Sequence, residues 1–236
     1  MTETGVSIHV PPVQRGKALI LQEDVWALPG SPSVVGLLGI NGAGKSTFFL
    51  SLAGLLECRS RPGVSLRGGA PESFAFLPQT PALPTWLTTE EATETYGLSF
   101  PDLTDRFPGL LLSELAGKPV AHLSEGQVQA LSLALTLGAD ARVTLLDEPL
   151  SALDLRRRRG FREHLSEWRK SVAGGRLMII STQSTSEIMD FCEAMVVLHE
   201  GRSRFCGSLD QIVDGLTGTE ADIRSAVEDR LVSLLE

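Results

Sequence analysis

The unbroken apolar run Val34-Val-Gly-Leu-Leu38 ends directly in Gly39-Ile-Asn-Gly-Ala-Gly-Lys45-Ser46-Thr47. So short a run, bounded by Pro32 and Gly39, predicts a strand covered on both faces, as in a parallel sheet. A helix is expected to follow, from Lys45 to about Leu55. The joint between them matches G-x-x-x-x-G-K-[ST] from Gly39 through Ser46, a pattern that cradles phosphate. Gly42 and Gly44 let backbone N–H groups converge on an anion without side-chain obstruction. Lys45 brings positive charge to the β- and γ-phosphates, the Ser46 hydroxyl can ligate Mg2+, and the helix N-terminus adds its partial charge. Gly39, Asn41, Gly42, Ala43, Gly44, Lys45, Ser46 and Thr47 are therefore the expected phosphate contacts.

A second apolar run, Val143-Thr-Leu-Leu, ends in the adjacent carboxylates Asp147 and Glu148. Two like charges at the end of a buried strand repel and cost desolvation, so they need a cation to justify them. Asp147 is the expected metal ligand, and Glu148 is placed to polarise an attacking water. Gln127 precedes Asp147 by 20 residues and closes the segment Leu123-Ser124-Glu125-Gly126-Gln127. Ser124 with Gln127 three residues on also fits a capping box at a helix start. Capping alone does not need Gly126, nor does it explain the distance to Asp147.

These three segments together resemble the ATP-binding cassette ATPases, whose usual Leu-Ser-Gly-Gly-Gln is here Leu-Ser-Glu-Gly-Gln. The resemblance implies that Ser124, Gly126 and Gln127 close over the nucleotide of a partner subunit, so it implies a dimer as well as ATP and Mg2+. Further matches extend it over nearly the whole chain. Gln79, after Phe76-Leu-Pro, stands where the family's metal- and water-sensing glutamine opens a helical lobe. Leu87-Thr-Thr-Glu-Glu91 resembles a stretch early in that lobe, and Ser151-Ala-Leu-Asp154 the loop that crosses the dimer interface. On this likeness Lys45, Glu148 and Gln183 are the catalytic set, Ser46, Gln79 and Asp147 hold the metal, and Asp154 joins the nucleotide contacts.

Two positions depart from the family pattern. Gln183 stands where a histidine usually contacts the γ-phosphate, and glutamine can donate a hydrogen bond but cannot carry charge or relay a proton. None of His9, His122, His164 and His199 is placed to substitute for it. Around Val10–Lys17 no aromatic side chain is present to stack adenine, and Trp26 falls too late, which leaves Val13 or an aliphatic stem.

The expected fold is α/β: a P-loop NTPase core with a mostly parallel sheet, an antiparallel β subdomain and a helical signature subdomain. Residues 1–78 and 122–210 would form the core, 79–121 the helical insertion and 211–236 a C-terminal helical extension of one domain. Strands are expected at Val6–Val10, Ala18–Leu21, Val64–Arg67, Phe74–Leu77 and Leu177–Ser181, and a hairpin turning at Glu200-Gly201. Helical patches are expected at Thr89–Tyr96 and Gly109–Leu115, and longer helices at Glu125–Leu137, Leu155–Lys170 and near Ser186–Phe191. Ile223, Val227, Leu231 and Leu234 give Ala221–Leu235 one apolar helical face.

Composition narrows the setting. A net charge of −8 and a pI near 5.1 argue against a nucleic-acid partner, and the block Arg156–Arg159 is expected to be the solvated start of a helix. Cys58, Cys192 and Cys206 are too few and too far apart for a disulfide or metal framework, which fits small buried apolar roles in a reducing cytosol. Met1-Thr-Glu-Thr-Gly carries no signal-peptide pattern, and no apolar stretch approaches the roughly 18 residues that span a bilayer. The leading expectation is thus a cytoplasmic subunit, peripheral on the inner face of the membrane, that dimerises on ATP and drives a separate permease. Its groove near Gln79 would receive a permease helix, and the little sequence after Leu209 suggests an exporter type. The alternative is a regulatory nucleotide-binding subunit, slow because of Gln183 and paired with an active paralogue. A soluble ATPase acting on ribosomes or DNA fits less well, since such chains usually carry two cassettes or coiled-coil arms.

Overall fold

A computed structural model of the chain describes residues 5–235 other than 59, 61, 67, 68, 72, 172–174 and 215–218, with backbone alone at 171, 220, 221 and 223. The first strands are β1 (Val6–Val10), β2 (Val13–Arg15), β3 (Ala18–Leu21) and β4 (Asp24–Leu28). β5 (Val34–Leu38), buried at every position, passes the chain to α1 (Lys45–Leu52). After β6 (Gly63–Ser65) and β7 (Phe74–Leu77) come α2 (Thr89–Glu94), α3 (Phe100–Arg106) and short 3-10 turns. Helices and strands then alternate: α4 (Glu125–Gly138), β8 (Val143–Asp147), α5 (Leu155–Ser171), β9 (Leu177–Thr182) and α6 (Thr185–Phe191). β10 (Ala194–His199) and β11 (Arg202–Ser208) form the expected hairpin, followed by α7 (Leu209–Val213) and α8 (Glu220–Leu235).

The large sheet has the order β11-β10-β5-β9-β8-β7, parallel except for the β10–β11 hairpin. β9 lies between β5 and β8, so the strand entering Gly39 and the strand ending in Asp147 share one neighbour. Their carboxyl ends open on one edge, where parallel sheets of this kind hold ligands. A separate antiparallel sheet, β4-β1-β6, and the β2–β3 hairpin stand beside it.

The apolar runs are continuous because the central strands feed two cores. Val34 and Leu38 join one cluster with Leu131, Leu135 and Phe161, while Val35 and Leu37 join another with Trp26, Phe48 and Phe49. Met178 and Ile180 of β9 face the first core, and Leu177 and Ile179 the second. Trp26 lies 4.5 Å from Phe48 and is 1% exposed, so it is core and offers no face to a base.

Several expectations need correcting. α1 stops at Leu52 rather than near Leu55, because Gly54 takes a left-handed φ of 72°. Gly109–Leu115 is not one helical patch: Leu111, at φ 55°, splits it into two 3-10 turns. The strand placed at Val64–Arg67 runs from Gly63 to Ser65, and Arg67 and Gly68 lie outside the described residues. Arg157 is 7% exposed rather than solvated; it donates to Leu110 O at 3.1 Å, Glu114 Oε2 at 3.0 Å and Asp154 Oδ2 at 2.5 Å. Val227 and Leu231 of α8 are buried in the first core with Ile188 and Met195, so this helix docks on its own chain; the Ile223 side chain lies outside the described residues. Of the cysteines only Cys192 is fully buried; Cys58 and Cys206 are half-buried.

Gly109 and Gly160 meet backbone to backbone where the 3-10 turn Pro108–Leu110 crosses α5. A Cβ on Gly160 would lie 2.2 Å from the Gly109 carbonyl oxygen. Gly160→Ala is expected to cost about 1–3 kcal/mol through overpacking. Thermal unfolding checks this, and an unchanged melting temperature would mean the two segments are farther apart.

Candidate nucleotide site

The loop after β5 is shaped by Gly44, which takes φ +107° at the N-cap of α1; a Cβ there would press on Leu21 at 2.8 Å. α1 has neither a side-chain cap nor an acidic residue in its first turn. Its first N–H groups, unable to bond within the helix, are left for an anion. Lys45 is 6% exposed, and its Nζ donates to Gly39 O at 2.6 Å and Ile40 O at 3.2 Å, closing the loop around itself. Burial pushes the Lys45 ammonium pKa down, while the Glu148 and Asp147 charges pull it back up. Asn41, Gly42 and Ser46 are exposed, Thr47 half-buried and Ala43 buried, with Ala43 O accepting Gly201 N–H at 3.0 Å.

β8 delivers Asp147 at 2% exposure, and Ser181 Oγ donates to its Oδ1 at 2.5 Å. The chain leaves the strand at Glu148 in a left-handed conformation, φ 47°, which costs a non-glycine residue about 1–2 kcal/mol. Hydrogen bonds on both sides hold it there. The Glu148 N–H donates to Ser181 O at 3.2 Å and Oγ at 3.0 Å, while its carbonyl accepts Ser151 N at 3.1 Å and Oγ at 2.9 Å. The carboxylate, 13% exposed, lies 3.5 Å from Lys45 Nζ and accepts Gln183 Nε2 at 2.8 Å. Lys45, Asp147, Glu148 and Gln183 are thus brought together. Gln183, expected at the γ-phosphate, here holds Glu148. Sequence reading missed Ser181; its one signal is a hydroxyl at the end of an apolar strand, two residues before Gln183.

The remaining candidates stand apart. Ser124 and Gln127 do form a capping box, Gln127 N to Ser124 Oγ at 3.3 Å and Ser124 N to Gln127 Oε1 at 3.0 Å. A Cβ on Gly126 would sit 2.6 Å from Ala152 O, so packing within this one chain already demands a glycine. Asp154 caps α5: its Oδ1 accepts Arg157 N at 2.9 Å, and that bond leads the effects lowering its pKa. Gln79 is exposed. Among the described residues no hydrogen bond or ion pair joins Gln79, Ser124, Gln127 or Asp154 to Lys45, Asp147 or Glu148. A tie does run beneath them, since buried Gln129 of α4 donates to Pro149 O, just after Glu148, at 3.1 Å.

The donors fit Mg2+. The ion takes hard oxygen ligands and usually only one or two from protein, the rest coming from phosphates and water. Exposed Ser46 and the free Oδ2 of Asp147 supply oxygens that no other described residue engages. No cluster of three or more His, Cys, Asp or Glu is gathered among the described residues. A metal here would therefore need nucleotide phosphates to complete its shell.

The ABC transporter family model matches residues 30–151, from the approach to β5 through the loop after Glu148. This chain belongs to the ABC transporter family. It is 30% identical over 195 residues to the ABC-type transporter ATP-binding protein EcsA of Bacillus subtilis (strain 168), covering 76% of this chain and 77% of that protein. It is 28% identical over 212 residues to the lipopolysaccharide export system ATP-binding protein LptB of Acidithiobacillus ferridurans, covering 83% and 87%. A solved structure of the ATP-binding subunit of an ABC transporter superposes with a TM-score of 0.78 at 27% identity, covering 98% of this chain and 99% of that one. The ABC fold accounts for the parallel sheet, the antiparallel strands beside it and the loop at Gly39.

If the ABC chain needs Gly126 for its own packing, Gly126→Ala lowers the melting temperature of the nucleotide-free protein, by about 1–3 kcal/mol of stability. A variant that melts like wild type and fails only in ATP-dependent dimerisation would place the need in the partner.

Proposed function

We propose that this ABC ATP-binding subunit hydrolyses Mg2+-ATP and, dimerising on ATP, drives a separate membrane permease as an exporter. The observation that carries this is the Lys45–Glu148–Gln183 constellation beside Asp147. Lys45 is engaged by Glu148 and by its own loop carbonyls. An arriving γ-phosphate draws the Lys45 ammonium to itself, and Glu148 is released to take a proton from the attacking water. Gln183 keeps the carboxylate oriented through that exchange. Ser46, Asp147 and Gln79 would hold Mg2+, which neutralises phosphate charge when bound. Ser124, Gly126 and Gln127 of a second copy, with Asp154, would close the site.

An apolar groove formed by Phe76, Leu77, Pro78, Pro81, Leu83 and Leu135 adjoins Gln79 and suits a helix of the permease. No described helix is long and apolar enough to cross a membrane, which fits a peripheral subunit on the inner face whose partner supplies the spans. Relatives named for lipopolysaccharide export and for sulfate import both match this chain. Export is therefore the part to test directly, by transport in vesicles holding the permease that co-purifies.

Glu148→Gln is expected to cut hydrolysis at least about 100-fold, the loss of a general base, while ATP binding persists or tightens because Lys45 is freed. A variant that hydrolyses like wild type would remove Glu148 from the mechanism. The second reading, a slow regulatory subunit paired with a paralogue, is favoured by one observation: Gln183 holds Glu148 without charge. On that reading Gln183→His raises turnover at least about tenfold, as a group able to relay protons is restored. Normal wild-type turnover with no gain from histidine would rule it out.

A further inference from the structure

Among the described residues, Ser181 is the one side chain bonded to both carboxylate residues at the end of β8. It stands opposite Asp147 in the β8–β9 register and is 0% exposed. Its bonding leaves no choice of direction. The Glu148 amide can only donate, so at 3.0 Å it takes a lone pair of Ser181 Oγ. The single hydroxyl proton must then go to Asp147 Oδ1, 2.5 Å away, a short charge-assisted hydrogen bond. The Asp147 carboxylate accepts no other hydrogen bond from a described residue, so Oδ1 is engaged by Ser181 and Oδ2 remains available to a cation. The same hydroxyl helps hold Glu148 in its left-handed conformation.

We infer that Ser181 is a positioning residue for metal-dependent nucleotide binding, its hydroxyl orienting Asp147 toward Mg2+ and fixing the backbone of Glu148. This rests on the reading of Asp147 as a metal ligand. Partners bonded to a metal ligand commonly set affinity 10–100-fold, by fixing the ligand's orientation and basicity. Removing the hydroxyl would leave Asp147 Oδ1 buried without a partner, in a space with no exposure through which water could replace it.

Threonine and valine have nearly the same shape and differ at one position in bearing hydroxyl or methyl, so the pair isolates the hydroxyl. ATP affinity of the full chain is measured in Mg2+ and in EDTA for wild type, Ser181→Thr, Ser181→Val and Ser181→Ala, with thermal unfolding alongside. The expected result is that valine and alanine lose about tenfold of the affinity gained with Mg2+ while affinity in EDTA holds, and that threonine stays within about twofold of wild type. Valine and threonine gaining equally from Mg2+ would overturn the inference. Alanine, too small to clash, decides if both larger variants fail to fold: a wild-type gain with Mg2+ overturns the inference, and a loss supports it. A wild type that binds ATP no better with Mg2+ than with EDTA would overturn the assignment of Asp147 itself, and the role of Ser181 with it.

Discussion

Two opposite charges largely withdrawn from water, the Lys45 ammonium and the Glu148 carboxylate 3.5 Å away, set the terms for the rest of this molecule. Each would be costly alone, because desolvation penalises an unpaired ion by several kcal/mol. Each is also supplied with hydrogen bonds, from the Gly39 and Ile40 carbonyls on one side and the Gln183 amide on the other. The pair can exist only where two strands bring their ends within reach of each other. The sheet order, with β9 between β5 and β8, achieves this. Burial of those strands on both faces keeps their ends from shifting, since their valine, leucine, isoleucine and methionine side chains are divided between the two cores.

The helical segment between β7 and α4 is joined to this arrangement at points that tolerate little movement. Gly109 and Gly160 touch through their backbones, and Gln129 ties α4 to the residue after Glu148. Arg157 is the most connected of these points, a buried cation bonded to Asp154 on one side and to Leu110 and Glu114 on the other. A displacement of that segment is felt at Asp154 through one guanidinium.

Much of this was legible in the sequence, for a physical reason. Strands buried on both faces appear as continuous apolar runs, so β5, β8 and β9 could be placed to within a residue. The loop at Gly39 was legible because its glycines and lysine follow in a fixed order. What stayed hidden depends on partners far away in the chain. Arg157 looked solvated because its counter-charge Glu114 lies 43 residues back. Leu111 broke an expected helix by taking a conformation that no glycine or asparagine announced. Ser181 became meaningful only once strand register set it opposite Asp147. The need for glycine at position 126 within its own chain was hidden too, because the carbonyl of Ala152 that lies against it comes 26 residues later.

The shared strand β9 has one more implication. Side chains on a strand alternate faces, so a slip of one residue would turn Ser181 away from Asp147 and move Leu177–Ile180 into the wrong cores. The residues that would report such an error in packing are immediate neighbours of those that would report it in chemistry. A misregistered chain could not hide as a well-folded but inactive protein, nor as an active one with a poor core. In this molecule, quality control on folding and competence at the nucleotide site amount to a single inspection.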